Sequence, residues 1–310
     1  MKSANPGLEI LLSIGGWTAS PNFPAMASQV SARQNFAATA VTLMTSWGMD
    51  GLDLDWEWPH SAEEAAAMLE LIEAMRTELD TRATTYPTAG SDNKFTLSIS
   101  LPVAEVNYQF MDLVTMDTIV DQFNVQAYDF AGSFSEPQVS GHAANLQSST
   151  NTPAATPFNT DTAITYFLAH ITPSKITLGM PLYGRSFTNT DGLGQPFNGV
   201  GPGERTEEPG IWDYKALPKP GATVHYDDQA VAAYSYDSAA KELISYDTPQ
   251  SVQAKVRYLK SRGLGGAMFW EASGDKTGDE SLVVTAWNEL GMGTLEKSRN
   301  MSYPRIYPRL

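Results

Sequence analysis

The segment Asp50-Gly51-Leu52-Asp53-Leu54-Asp55-Trp56-Glu57-Trp58-Pro59 constrains this chain more than any other. Residues two apart on a strand share a face. Asp53, Asp55 and Glu57 therefore point one way, while Leu52, Leu54 and Trp56 point the other, toward a covering helix. Strands of a parallel sheet are normally buried on both faces, so three acids on one of them are costly unless they find partners. Carboxyls ~6–7 Å apart along a strand cannot all ionise freely, so at least one should carry a proton near neutral pH. A carboxyl kept protonated is what a general acid needs.

Two plainer readings compete with an acid catalyst. A solvated acidic edge strand would tolerate the carboxylates, but Leu52, Leu54 and Trp56 oppose it. A hard-cation site would use them as ligands, yet no glycine-centred calcium loop is present. The nearest histidine, His60, follows Pro59, and His142, His170 and His225 show no ligand spacing. No metal and no cofactor are expected.

Strand-like and helix-like stretches alternate along the rest of the chain. Leu8 to Ile14, Met49 to Trp58, Lys94 to Leu101, Val120 to Tyr128, Lys175 to Met180 and Gly265 to Trp270 read as strands. Ser31 to Trp47, Ala62 to Arg82, Asp161 to His170, Ser251 to Arg262 and Ser281 to Leu290 read as helices. That rhythm predicts a parallel sheet built from βαβ units. Ala131 to Phe158, rich in Ser, Asn, Thr and Pro, reads as a long loop. Ser186 to about Thr248, rich in Gly, Pro, Tyr and Asp, reads as a small α+β insertion. The expected organisation is a catalytic barrel over 1–185 and 249–296, an insertion over 186–248 and an irregular tail over 297–310.

Composition narrows the function. With 20 basic and 35 acidic residues the net charge is −15, which argues against nucleic acid and anionic membrane surfaces. The absence of cysteine excludes disulfides and thiolate chemistry. No stretch approaches the ~18 apolar residues of a spanning helix, and Met1 to Pro6 does not read as a signal peptide. One glycosylation sequon, Asn300-Met301-Ser302, is present.

The pattern Asp50-x-x-Asp53-x-Asp55-x-Glu57 resembles the signature of family 18 glycoside hydrolases, the chitinases, of fungal type. Four further segments resemble that family's strand motifs in order: Ser13-Ile14-Gly15-Gly16-Trp17, Gln126-Ala127-Tyr128-Asp129-Phe130-Ala131-Gly132, Gly179-Met180-Pro181-Leu182-Tyr183-Gly184-Arg185 and Gly265-Gly266-Ala267-Met268-Phe269-Trp270-Glu271. Gln126 stands where the family usually has Met. The resemblance implies a TIM (β/α)8-type barrel with a small α+β insertion domain. The family barrel has two strands before the Ser13 motif, so this chain is expected to carry about six of the eight.

The resemblance implies substrate-assisted retaining hydrolysis of the β-1,4 bonds of chitin, with endo action. In this family the sugar's N-acetyl oxygen, rather than a second carboxylate, is the nucleophile. Glu57 then protonates the leaving oxygen and later activates water. Asp55 holds the acetamido N–H, Asp53 shares a proton with Asp55, and Tyr128 donates to the acetamido oxygen. Ser13 supports Asp53, Asp50 is structural, and Gln126 sits beside the site. All lie at strand C-termini, where barrel enzymes build their sites. Chitin is neutral with apolar sugar faces, so aromatic platforms suit it. Trp270 resembles the tryptophan beneath the central sugar, and a cis peptide is implied at Trp270-Glu271. Trp17, Trp58, Tyr183, Arg185, Asp129 and Met268 are the further candidates for the cleft wall, with core packing as the alternative for each aromatic.

Two other functions remain open on the sequence. One is a non-catalytic chitin-binding protein or an inactive truncated relative; lectin-like relatives bind without catalysis, but they lose the acid that Glu57 supplies here. Endo-β-N-acetylglucosaminidases acting on N-glycan cores share the acidic signature, though the Tyr183-Gly184-Arg185 segment and the insertion favour chitin or chitooligosaccharides. Family habit places such enzymes outside the cell or at the cell wall.

Overall fold

A computed structural model describes residues 2, 4, 5, 7–85, 94–204 and 208–291. The expected tail over 297–310 and the sequon at Asn300 lie outside these residues. The chain forms two compact units. Among the described residues, one is built from those up to Asn124 with His170–Lys175, the other from Val125–Ala169 and 176–291.

The first unit is a parallel sheet with helices. Strands β1 (Leu11–Gly15), β2 (Gly51–Asp55) and β3 (Thr96–Leu101) pair in parallel, and β4 (Gln122–Val125) follows β3 in the same sheet. Along β2 and just beyond it burial alternates as the sequence predicts. Leu52, Leu54 and Trp56 are buried, whereas Asp53, Asp55 and Glu57 are half-buried. The Trp56 ring stacks on Phe23 at 5.2 Å, and Phe23 meets Phe36 edge-on at 6.1 Å. Phe23 opens the short helix α1 (Phe23–Ala27), and Phe36 lies in α2 (Val30–Ser46). The covering face is therefore aromatic, and such pairs add about 0.5–1.5 kcal/mol beyond area burial.

Helix α3 (Ala62–Ala83) packs against α2. Its start is set by Ser61, whose side chain accepts from the Glu64 amide, with Glu63 and Glu64 in the first turn and Arg82 in the last. Ala65, Met68, Leu71, Ile72, Met75 and Leu79 form its buried stripe at helical spacing. Helices α4 (Glu105–Tyr108) and α5 (Leu113–Ile119) were not expected from the sequence. Both are too short to show a periodic pattern, and α5 is fixed locally by Asp112, which caps the Thr115 amide.

In the second unit, helix α6 (Thr160–Leu168) precedes β5 (Ile176–Pro181). An antiparallel sheet follows, made of β6 (Tyr183–Thr188), β7 (Ile211–Asp213), β8 (Thr223–Asp227), β9 (Ala232–Asp237) and β10 (Glu242–Tyr246) in the order β7-β6-β10-β9-β8. Helix α7 (Pro249–Ser261) then leads to β11 (Gly266–Trp270), which pairs in parallel with β5, and α8 (Leu282–Leu290) packs on α7. Thr248 and Ser251 form a capping box at the head of α7, with Pro249 in its first turn.

Among the described residues six strands, β1 to β5 and β11, belong to the barrel-type sheet, and five form the inserted sheet. The insertion begins earlier than the sequence implied. Tyr183, Gly184 and Arg185 pair with β7 and β10, so residues assigned to the barrel are the first residues of the antiparallel sheet. Leu182 alone separates β5 from β6.

Candidate active site

In the first unit three strands converge on Asp53. Ser13 of β1 and Ser98 of β3 stand opposite it in register. Ser13 Oγ donates to Asp53 Oδ2 at 2.6 Å, and Ser98 Oγ donates to Oδ1 at 2.6 Å. Asn124 Nδ2 of β4 adds a third bond to Oδ1 at 3.1 Å, and its own Oδ1 accepts from Gln122 Nε2 at 2.7 Å. One step along β2, Asp55 Oδ1 accepts from Ser100 Oγ at 2.5 Å. The cost of placing carboxyls on an inner sheet face is offset by hydroxyl and amide donors aimed at them.

Glu57 lies beyond the strand. The sequence predicts β structure through Trp58, but β2 ends at Asp55. There the ladder gives way to side-chain support, because Ser20 Oγ accepts from the Glu57 amide at 2.7 Å and donates to the Gly16 carbonyl at 2.9 Å. Gly16 N donates to the Asp55 carbonyl at 2.7 Å. The preceding Gly15 has φ 131°, and a Cβ there would sit 2.1 Å from the Asp55 carbonyl oxygen, so only glycine serves this turn. The Glu57–Trp58 and Trp270–Glu271 peptide bonds are both cis.

Asp50 anchors the start of β2. It is 1% exposed, pairs with Lys2 Nζ at 2.5 Å and accepts from the Ile10 amide at 2.8 Å. Trp17 follows β1 and is 75% exposed, too open for core packing, while Trp58 is half-buried.

The second unit gathers a different set. Tyr128 and Tyr183 meet edge-on at 6.2 Å and are buried with Ala144 and Ile211, with Met268 packed against them. Gly179 of β5 makes this possible. A Cβ there would lie 2.3 Å from the Val125 carbonyl oxygen and 3.0 Å from both Met268 Cε and Tyr128 Cε1. Asp129, with φ 61°, accepts from Tyr183 Oη at 2.6 Å and Arg185 Nε at 2.5 Å. Arg185 Nη1 also reaches Glu208 Oε1 at 2.8 Å, and its guanidinium lies 5.2 Å from the Phe134 ring centre.

Burial raises the Tyr183 phenol well above its usual range, the Asp129 charge adds to this and Arg185 opposes it. Burial pulls the Arg185 guanidinium down, but its bonds and charges with Asp129, Tyr183 and Glu208 more than offset that, and it stays a firm cation. Gln126 is half-buried just past β4. Trp270 closes β11 and is 52% exposed, more open than a core tryptophan.

The structure thus assembles Ser13, Asp53, Asp55 and Glu57 in one unit, and Tyr128, Asp129, Tyr183, Arg185 and Met268 in the other. Sequence reading missed Ser20, Ser98, Ser100 and Asn124. A signal existed for two of them in Thr96-Leu97-Ser98-Ile99-Ser100-Leu101, where hydroxyl and aliphatic residues alternate on a strand buried on both faces. For Ser20 and Asn124 the local sequence holds no comparable pattern.

A barrel-type parallel sheet with acids on one strand and donors on its neighbours is an arrangement on which barrel enzymes build carboxylate sites. Residues 1–275 match the family described as "Glycosyl hydrolases family 18". The chain belongs to that family. It is 50% identical over 305 residues to "Endochitinase 1" of Metarhizium robertsii, covering 98% of this chain and 70% of that protein. It is 47% identical over 306 residues to "Chitinase 1" of Aphanocladium album, with the same coverage of 98% and 70%. Among solved structures it resembles chitinase ChiA74 from Bacillus thuringiensis at a TM-score of 0.85 and 30% identity, covering 96% of this chain and 52% of that one.

Proposed function

We propose that this chain is an endo-acting chitinase that hydrolyses β-1,4 bonds between N-acetylglucosamine units with retention of configuration. The observation that carries this reading is the half-buried series Asp53, Asp55 and Glu57, with Asp53 and Asp55 backed by the donors of β1, β3 and β4. A row held this way offers an acid, a carboxylate to orient a substrate amide and a third carboxyl to support the second.

Glu57 donates a proton to the leaving glycosidic oxygen, then takes one from the water that resolves the intermediate. Asp55 accepts from the acetamido N–H and so turns the acetamido oxygen toward the anomeric carbon. The positive charge that develops on the sugar is balanced by the same carboxylate. Asp53, tied by Ser13, Ser98 and Asn124, keeps its neighbour in place. Tyr128 donates to the acetamido oxygen, and the open ring of Trp270 supports the sugar being cleaved. Trp17 and Trp58 in the one unit, and Tyr183, Arg185, Asp129 and Met268 in the other, are the further residues read as serving substrate binding. The substrate is chitin or its oligosaccharides, and the place of action is the cell wall or the medium outside it.

Proton NMR of the nascent products from N-acetylchitohexaose tests this directly. Initial release of β-anomer from internal bonds is the expected result. Initial α-anomer, or release of terminal units alone, would overturn the mechanism or the endo assignment respectively.

A further inference from the structure

We propose that Ser100 is a positioning residue for hydrolysis, whose hydroxyl holds the Asp55 carboxyl in its working orientation and sets the pH at which Asp55 loses its proton. The inference rests on the reading of Asp55 as the carboxylate that binds the acetamido group.

The geometry of β3 points to this role. Leu97, Ile99 and Leu101 are fully buried on one face, and Thr96, Ser98 and Ser100 occupy the other. Each hydroxyl on that face serves a different acid. Thr96 Oγ1 donates to Glu9 Oε2 at 2.9 Å, Ser98 to Asp53 at 2.6 Å and Ser100 to Asp55 at 2.5 Å. The register continues from Asp53 opposite Ser98 and Leu54 opposite Ile99, so the next step brings Ser100 alongside Asp55. Ser100 is 5% exposed, and a buried hydroxyl must find a partner in the protein.

A serine hydroxyl carries one hydrogen, and Ser100 spends it on Asp55 Oδ1. A donor to a carboxylate favours its charged form and fixes the plane of the group. Asp53, beside it on β2, accepts from three residues on three strands, Ser13, Ser98 and Asn124. Ser100 is therefore a buried donor fixed on the acid that binds substrate, as Ser98 is on the acid behind it.

The test is a titration of the Asp55 carboxyl by carbon-13 NMR in protein labelled at aspartate, assigned with Asp55→Asn. In Ser100→Ala the midpoint should rise by about 0.5–1 pH unit, the value of one lost hydrogen bond. In Ser100→Thr, which keeps the hydroxyl, it should stay at the wild-type position. In parallel, kcat on N-acetylchitohexaose should fall about five- to tenfold in Ser100→Ala with KM within twofold, and the acid limb of its pH profile should move with the NMR midpoint. An unmoved midpoint and an unmoved acid limb in folded Ser100→Ala would overturn the proposal. The titration needs no turnover. A moved midpoint in a wild-type chain that cleaves nothing would keep the control of Asp55 by Ser100 and sink the hydrolytic reading.

Discussion

The Ser20 hydroxyl and the Glu57 amide are hydrogen bonded at 2.7 Å across 37 residues of sequence. The bond fixes the proposed acid at the point where β2 has ended and no ladder remains to hold it. Ser20→Ala would remove the acceptor of the Glu57 amide, while the Gly16 carbonyl would keep the Ala19 and Ser20 amides as donors. We expect a loss of about 1–3 kcal/mol of stability, a fall of about 2–9 °C in Tm, and kcat lowered about tenfold or more. Thermal melts beside chitobioside kinetics check this, and an unchanged rate would show that Glu57 is placed by something else.

Asp55→Asn should keep the fold and lose most activity. An amide in that position presents a neutral group to the acetamido N–H and cannot balance developing charge. The expected loss in kcat is about two orders of magnitude, with the circular dichroism spectrum unchanged. Rates near wild type in this variant would remove the substrate-assisted mechanism.

Lys255 and Asp247 form a buried ion pair, each 2% exposed, with bonds of 2.8 and 2.6 Å and a further donor to Asp247 from Ser251 at 2.7 Å. Lys255→Ala strands a buried carboxylate and should cost about 3–5 kcal/mol. Arg257 and Glu289 pair at 2.9 Å with the arginine largely exposed, and Arg257→Ala should cost under about 1 kcal/mol. Urea denaturation of the two variants measures the contrast, and equal losses would contradict it.

Asp227 is held down at about 2 by its bond with the His142 ring, against the opposing effect of burial, with help from the Ala230 and Gln229 amides. A carboxyl lowered in the folded state stabilises it above the unfolded value of about 4, and that stabilisation fades as the pH falls toward about 2. Asp227→Asn should therefore melt below wild type at pH 7, with the gap closing between about pH 4 and pH 2. A gap that is the same at both ends of that range would contradict the linkage.

How much of this was legible in the sequence depends on the range of the forces involved. The alternation of Leu52, Leu54 and Trp56 with Asp53, Asp55 and Glu57 is a period-two pattern, and it survives in the burial of each residue. The end of β2 at Asp55 was not legible, because the group that replaces the ladder is Ser20, far away in sequence. The start of the insertion was misplaced for a related reason. Tyr183 to Arg185 reads as part of a barrel motif, yet its pairing partners lie on β7 and β10. Ser98 and Ser100 were visible as strand residues but not as donors, since only the register of β3 on β2 reveals which acid each one meets.

The central claim is that Glu57 is the proton donor of a working chitinase, and turnover of a fluorogenic chitobioside by the purified chain beside Glu57→Gln tests it most directly. The account predicts turnover by the wild type and a loss of about three orders of magnitude or more in the variant, with identical circular dichroism. A folded wild-type chain without turnover, or a Glu57→Gln variant that retains it, would contradict the account.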